Sequence, residues 1–359
     1  MRRILFVCIG TLSALLSHAN DGSYYSHGGV IYPTKESRIS LEKEILSFTV
    51  HDRMAVVEIY FEFDNPDATA RKLLVGFQAP SAVGDVSYEA SNSSQIYDFR
   101  VMQEGKLLPY ELKGAECEDC ELQDTSAINY QEIGQGLYVY LFEVTFQPGL
   151  NRIQHSYRFP ASSHVFFRQV YNYILTTGSR WANSTIGDLT VQIDMGRNRY
   201  FFVSDIFGEG ADWSIIGSGK VTDVTFEDYG DVANRMVRTL DGKLQVHVTD
   251  FSPQQNLEFG IINEHSFISW PPHHELIQSG EVHPIGLLHP DSEYSKATLR
   301  ILRNTVYAQH GYAFRSEDLH AYFSQFAWYI PDPALKISDI QLSDWEKEFV
   351  EEVQRRERE

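Results

Sequence analysis

The stretch Met54-Ala55-Val56-Val57-Glu58-Ile59-Tyr60-Phe61-Glu62-Phe63 decides the fold class. Val57, Ile59, Phe61 and Phe63 fall on one face, and Val56, Glu58, Tyr60 and Glu62 on the other. Side chains along a strand point alternately to opposite faces, so this reads as a strand with one dry and one wet side. Residues 138–146 repeat the pattern, with Tyr138, Tyr140, Phe142, Val144 and Phe146 on the apolar face. Residues 151–159 do so with Ile153, His155, Tyr157 and Phe159. Shorter runs rich in β-branched and aromatic residues occur at 45–50, 72–79, 98–103, 165–175, 188–195, 200–206, 221–226 and 243–249. Turn signals such as Asn65-Pro66, Pro148-Gly149 and Asp241-Gly242 lie between them. Alternation favours antiparallel over parallel sheets, so residues 20–263 are expected to form an antiparallel, β-sandwich-like region. No repeat of fixed period is visible, which argues against a propeller or solenoid.

The whole chain agrees with a folded body. Of 359 residues, 43% are apolar and 22% charged, which excludes wholesale disorder and collagen-like repeats. The 30 basic residues against 49 acidic give a formal charge of −19, which argues against nucleic acid and anionic lipid as partners. Aromatics reach 13%, enough for a large core and permissive of sugar-facing surfaces.

The N-terminus predicts export. Met1-Arg2-Arg3 is followed by an uncharged stretch from Ile4 to Leu16 and then by Ser17-His18-Ala19. This reads as a secretory signal peptide over residues 1–19, cleaved after Ala19. The apolar stretch is too short for the ~20 residues that cross a bilayer, so the mature chain is expected to lack a transmembrane segment and to be periplasmic or extracellular. Cys117 and Cys120 form Cys-Glu-Asp-Cys. Thiol exchange is one reading, but Glu116, Glu118, Asp119 and Glu121 disfavour thiolate, and a local disulfide is the expected state.

Residues 264–290 break any regular element, with Trp270-Pro271-Pro272-His273-His274, Gly280, Pro284, Gly286 and Pro290, and read as a linker. From 291 to 359 the period becomes helical. Leu299, Leu302, Val306 and His310 share a stripe that Asp291 or Ser292 starts and Gly311 stops. Ser316 caps a second helix carrying Leu319, Tyr322, Phe323 and Phe326. Ser343 and Glu346 form a capping box for a third, which buries Trp345, Phe349, Val350 and Val353. The pairs Glu351–Arg355 and Glu352–Arg356 support its exposed side. A trio this small is expected to lean on the β region.

The run from Leu299-Arg300-Ile301-Leu302-Arg303-Asn304 through Tyr307-Ala308-Gln309-His310-Gly311-Tyr312-Ala313-Phe314, then Tyr322-Phe323 and Trp328-Tyr329, resembles the YARHG domain, a small helical domain of exported bacterial proteins. The β region is also similar to the domain often found ahead of it, at Leu74-Val75-Gly76-Phe77-Gln78-Ala79-Pro80 and at Asn183 after Arg180-Trp181-Ala182. The resemblance implies association with the cell wall or outer surface and carries no catalytic activity over. Gln309 stands where the family has Arg, so a role resting on that guanidinium is not carried over. Tyr307, His310, Gly311, Trp328 and Tyr329 are the candidate binding residues; the same residues also suit a small core that ends in polar groups.

Other chemistry is thinly represented. His265, His273, His274, His283 and His289 suggest zinc, but Gln278 stands where the second His of a His-Glu-x-x-His helix is needed, and no metal or other cofactor is expected. Gly217-Ser218-Gly219-Lys220 lacks the rest of a phosphate loop and reads as a hairpin turn. Asn92 and Asn183 begin glycosylation sequons. The expected function is an exported, non-catalytic, envelope-associated binding protein that docks to cell-wall glycan or an envelope protein. The alternative is an envelope glycan hydrolase using two carboxylates of the β region.

Overall fold

A computed structural model describes residues 27–29, 32–33, 38–80, 93–114, 137–163, 167–197, 199–208, 211–225, 233–262, 294–325 and 329–359. Residues 1–19, read above as a signal peptide, Cys117, Cys120 and residues 264–290, read as a linker, lie outside these residues, as do Phe326, Trp328 and the side chain of Trp345. The strands are β1 (His27–Gly29), β2 (Tyr32–Pro33), β3 (Ser40–His51), β4 (Met54–Asn65), β5 (Arg71–Pro80), β6 (Tyr97–Gln103), β7 (Lys106–Leu107) and β8 (Tyr110–Gly114). They continue with β9 (Leu137–Phe146), β10 (Gly149–Pro160), β11 (Phe167–Ile174), β12 (Ile186–Asp194), β13 (Arg199–Ser204), β14 (Ser214–Thr225), β15 (Ala233–Phe251) and β16 (Leu257–Ile262). Among the described residues three α-helices follow the strands: α1 (Lys296–Gln309), α2 (Glu317–Phe323) and α3 (Asp344–Arg358).

The protein is mainly β, with its helices at the C-terminal end, as the periodicity predicts. The large sheet runs β1-β11-β16-β13-β15-β12-β3-β4-β10-β6-β7, with β14 added on β15; a four-stranded sheet runs β2-β5-β9-β8. The large sheet is mixed rather than wholly antiparallel, because β3 pairs in parallel with β12 and β1 with β11. The first of these pairs joins strands more than 130 residues apart, which no local alternation can announce. Val57, Phe61 and Phe63 are fully buried, as are Phe142, Val144, Ile153 and Phe159. Phe63 meets Phe146 at 5.5 Å and Trp181 at 4.5 Å, and Phe99 stacks on Tyr140 at 4.1 Å, so the small sheet lies over the β4-β10-β6 end of the large one. At the other end Phe48 of β3 meets Phe259 of β16 at 4.9 Å, so the large sheet curls until its own inner face packs on itself. Each such ring removed from water contributes about 1.5–3 kcal/mol.

Strand β15 makes the curl. Its first half pairs with β13 and its second with β12, while β14 follows it from Ala233 to Gln245. The expected turns at Gly217–Lys220 and Asp241-Gly242 therefore lie inside strands, opposite one another, beside a register shift between Ser218 and Gly219. Gly242 has φ +101°, and a Cβ there would sit 2.0 Å from the Ile216 carbonyl oxygen, so the glycines permit a close bend rather than a chain reversal. Asn183 is spent structurally: its side-chain amide donates to the Leu41 carbonyl at 3.0 Å and its oxygen accepts from the Leu41 N–H at 3.3 Å.

In the helical part, Ser295, rather than Asp291 or Ser292, caps α1, accepting from the Thr298 N–H at 3.1 Å. The Ser343–Glu346 capping box of α3 is present in both directions. Leu299, Leu302 and Val306 pack on Phe349, Val350 and Val353. Arg355 pairs with Glu352 and Glu359 rather than with Glu351, while the expected Glu352–Arg356 pair forms at 2.8 Å.

Candidate functional site

The last turn of α1 places most of the sequence-predicted binding residues together. An α-helix leaves its final carbonyls without partners, and three of them find one here. The N–H of Tyr312 donates to the Tyr307 carbonyl at 3.0 Å and that of Gly311 to the Ala308 carbonyl at 2.9 Å, the two bonds of a Schellman stop. The stop needs a left-handed residue, and Gly311 has φ +84°; a Cβ there would lie 2.9 Å from the Ile330 carbonyl oxygen. A third carbonyl, that of Gln309, accepts from Nη2 of Arg238 on β15.

Arg238 joins the two parts of the molecule. It is 1% exposed, and its Nη1 donates to the carbonyls of Arg199 at 3.1 Å and Thr239 at 2.9 Å. Burial lowers its pKa to about 10, against the opposing influence of Tyr200. A cation at the negative end of a helix is favourable electrostatically, so β15 answers the α1 terminus with a charge. Tyr200 of β13 packs into the cluster of Ala308, Phe314, Leu319, Phe323 and Tyr329, and the Leu240 side chain lies beside Gly311.

The other motif residues lock the helices to one another. His310 Nε2 lies 2.7 Å from Glu346 Oε1, tying the end of α1 to the start of α3. Burial pushes the Glu346 carboxyl up, but the bond and charge of His310 and the Ser343 contacts outweigh it, leaving it below the usual glutamate range. Tyr307 is half-buried between both apolar clusters of the helical part, and Tyr329 donates its hydroxyl to the Tyr312 carbonyl at 2.9 Å. Among the described residues, no group of three or more His, Cys, Asp or Glu side chains is placed to hold a metal ion. The histidines of 264–290 lie outside those residues, as Trp328 does.

A second location escaped sequence reading altogether. A pocket of about 350 Å³ opens where the β3–β4 hairpin meets the far edge of the curled sheet, lined by Val50, Asp52, Arg53, Gln169, Met195, Arg199 and Ile261. Asp52 and Arg53 form the hairpin turn with φ of 47° and 61°. Gln169 comes from β11, Ile261 from β16, and Met195 and Arg199 flank the β12–β13 turn. The only advance signal was the hairpin itself; three distant segments supply the rest. Arg199 connects this pocket to the joint, since its carbonyl is one of the Arg238 acceptors.

Among the described residues two carboxyls have strongly raised pKa values. Burial pushes Glu44 up to about 8 against a 3.0 Å bond from the Tyr173 hydroxyl, and burial pushes Glu258 up to about 7. They do not face one another. Glu44 points into the core, whereas Glu258 lies between the inward-facing Leu257 and Phe259 and so points to the opposite face. His155 is buried among Phe77, Phe99 and Tyr157, and burial lowers it to about 3.

Residues 288–358 match the YARHG domain family. No curated protein matches the chain. A solved structure from Legionella pneumophila subsp. pneumophila str. Philadelphia 1, described as a "putative nutrient binding protein", is similar in fold with TM-score 0.55 at 20% identity. The likeness covers 93% of this chain and 99% of that one, so it spans both the β body and the helices. Among the described residues no helix is long and apolar enough to cross a membrane.

Proposed function

From a chain that carries a YARHG domain behind a β-rich body, we propose an exported, non-catalytic binding protein of the bacterial envelope. Its signal peptide is removed after Ala19, and its ligand is a component of the wall glycan, met on the periplasmic or extracellular side. The recognition site is the pocket at the β3–β4 hairpin, and this pocket is the observation that carries the reading: two guanidiniums and an amide beside three apolar side chains suit orientation of a bound group. The helical domain is the docking module, with Tyr307, His310, Gly311 and Tyr329 holding its shape and its seat on β15. The fold shared with a protein described as nutrient binding supports the same reading. Glycan hydrolysis is less well supported, because the two raised carboxyls, Glu44 and Glu258, point to opposite faces of the sheet.

Sedimentation of the mature protein with purified sacculi tests the proposal. Retention in the pellet without release of reducing ends is expected. Complete recovery in the supernatant at low and moderate salt would refute envelope binding, and steady release of reducing ends would replace it with the hydrolase.

A further inference from the structure

We propose that the pocket recognises a carboxylate: Arg53 and Arg199 grip the acid group of a small solute while its apolar part lies on Val50, Met195 and Ile261. This rests on the binding reading above and adds the chemical class of the ligand.

The charge of the lining points this way. The protein carries −19 overall, with 49 acidic side chains available to any site that favours a cation. Yet among the described residues this pocket is lined by two arginines and one carboxylate. That carboxylate, Asp52, is 88% exposed and lies 2.8 Å from His51 Nδ1. In a protein whose field repels anions, a locally positive recess is where an anion is held.

Geometry narrows the anion to a carboxylate on an apolar body. Arg53 and Arg199 approach from different segments, a hairpin turn and the start of β13, so a group between them is held from two sides. Planar guanidinium forks match a carboxylate with paired, charge-assisted hydrogen bonds. Arg199 is steadied by its Nε bond to the Met195 carbonyl at 3.2 Å. Gln169 is 7% exposed and accepts from the Tyr171 hydroxyl at 3.3 Å, which fixes an amide at the inner wall. Val50, Met195 and Ile261 supply apolar surface that inorganic phosphate or sulfate would leave uncovered. The volume suits a sugar acid or a short peptide acid.

Titration calorimetry with N-acetylmuramic acid and N-acetylglucosamine tests the class, because these sugars differ by one lactyl carboxylate. Saturable binding of the acid is expected, with the neutral sugar at least about tenfold weaker, and with Arg53→Gln and Arg199→Gln each weakening the acid by about tenfold. Arg53 is exposed on a turn, so Arg53→Gln is expected to keep the wild-type melting temperature, which separates lost recognition from lost folding. Equal binding of both sugars, insensitive to Arg53→Gln, would overturn the carboxylate class and leave a binding protein of another specificity. No saturable binding of either sugar, with sacculi still retaining the protein, would overturn this site and leave envelope binding standing. Failure in both assays would remove both.

Discussion

Replacing Arg238 by methionine tests the joint between sheet and helices. Methionine is unbranched and fills much of the same space, so packing loss is small, but the carbonyls of Arg199, Thr239 and Gln309 lose a charged donor. Each hydrogen bond to a charged group contributes about 1.5–3 kcal/mol. Against this stands the cost of burying a guanidinium, several kcal/mol, which also drives its pKa down to about 10. The Gln309 carbonyl has no helical partner to return to, so the balance is a net loss on the order of 2–4 kcal/mol. Urea denaturation is expected to show a lower midpoint at unchanged slope. Hydrogen exchange is expected to accelerate at Gly311 and Tyr312, while β3, β4 and β10 keep their protection. A midpoint equal to wild type or higher, with unchanged exchange at the end of α1, would refute the reasoning and assign the joint to the apolar contacts of Tyr200 and Leu240 alone.

Gly311→Ala forces a left-handed alanine and drives its Cβ against the Ile330 carbonyl; a loss of about 1–3 kcal/mol in urea melts is expected, and a neutral result would mean that the Schellman stop is dispensable. Gln309→Arg restores the family residue at a position 1% exposed beside a buried cation, so it is expected to destabilise the wild type more than the Arg238→Met background; equal penalties in a double-mutant cycle would show that the two sites are uncoupled. Glu44 keeps its proton in the folded state up to about pH 8 whereas the unfolded chain releases it near pH 4.5, so its contribution to stability is full below pH 4.5 and falls as pH rises towards 8. Glu44→Gln retains an acceptor for Tyr173 and is expected to gain on wild type by about 1.4 kcal/mol per pH unit across that window; parallel stability curves would refute this. His155 acts with the opposite sign, since it stays neutral down to about pH 3 and stability is lost as pH falls below 6.5.

Several elements were legible from their own residues. Alternation at 54–63, 138–146 and 151–159 identifies strands because the period of two is a property of each segment and requires no partner. The stripe Leu299–Leu302–Val306, the Ser343–Glu346 box and the stop at Gly311 are equally local, and each is realised. Gly217–Lys220 and Asp241-Gly242 misled for a definable reason. Glycine marks both a chain reversal and a close crossing of two strands, and only the partner strand distinguishes them.

The candidate binding residues divide along the same line. Tyr307, His310 and Gly311 are selected by resemblance, and their neighbourhood explains their types: two apolar clusters to bridge, a carboxylate 36 residues onward, a left-handed stop. By itself the amino-acid order determined the periodicities, the Ser343–Glu346 box and the Gly311 stop, all set by contacts within a few residues. The tertiary structure alone decided that β12 runs beside β3, that Arg238 of a strand completes a helix, and that Arg53 and Arg199 share a recess. Those facts depend on segments that meet only when the sheet curls on its own apolar face, and the burial that drives the curl depends on area rather than on chain separation.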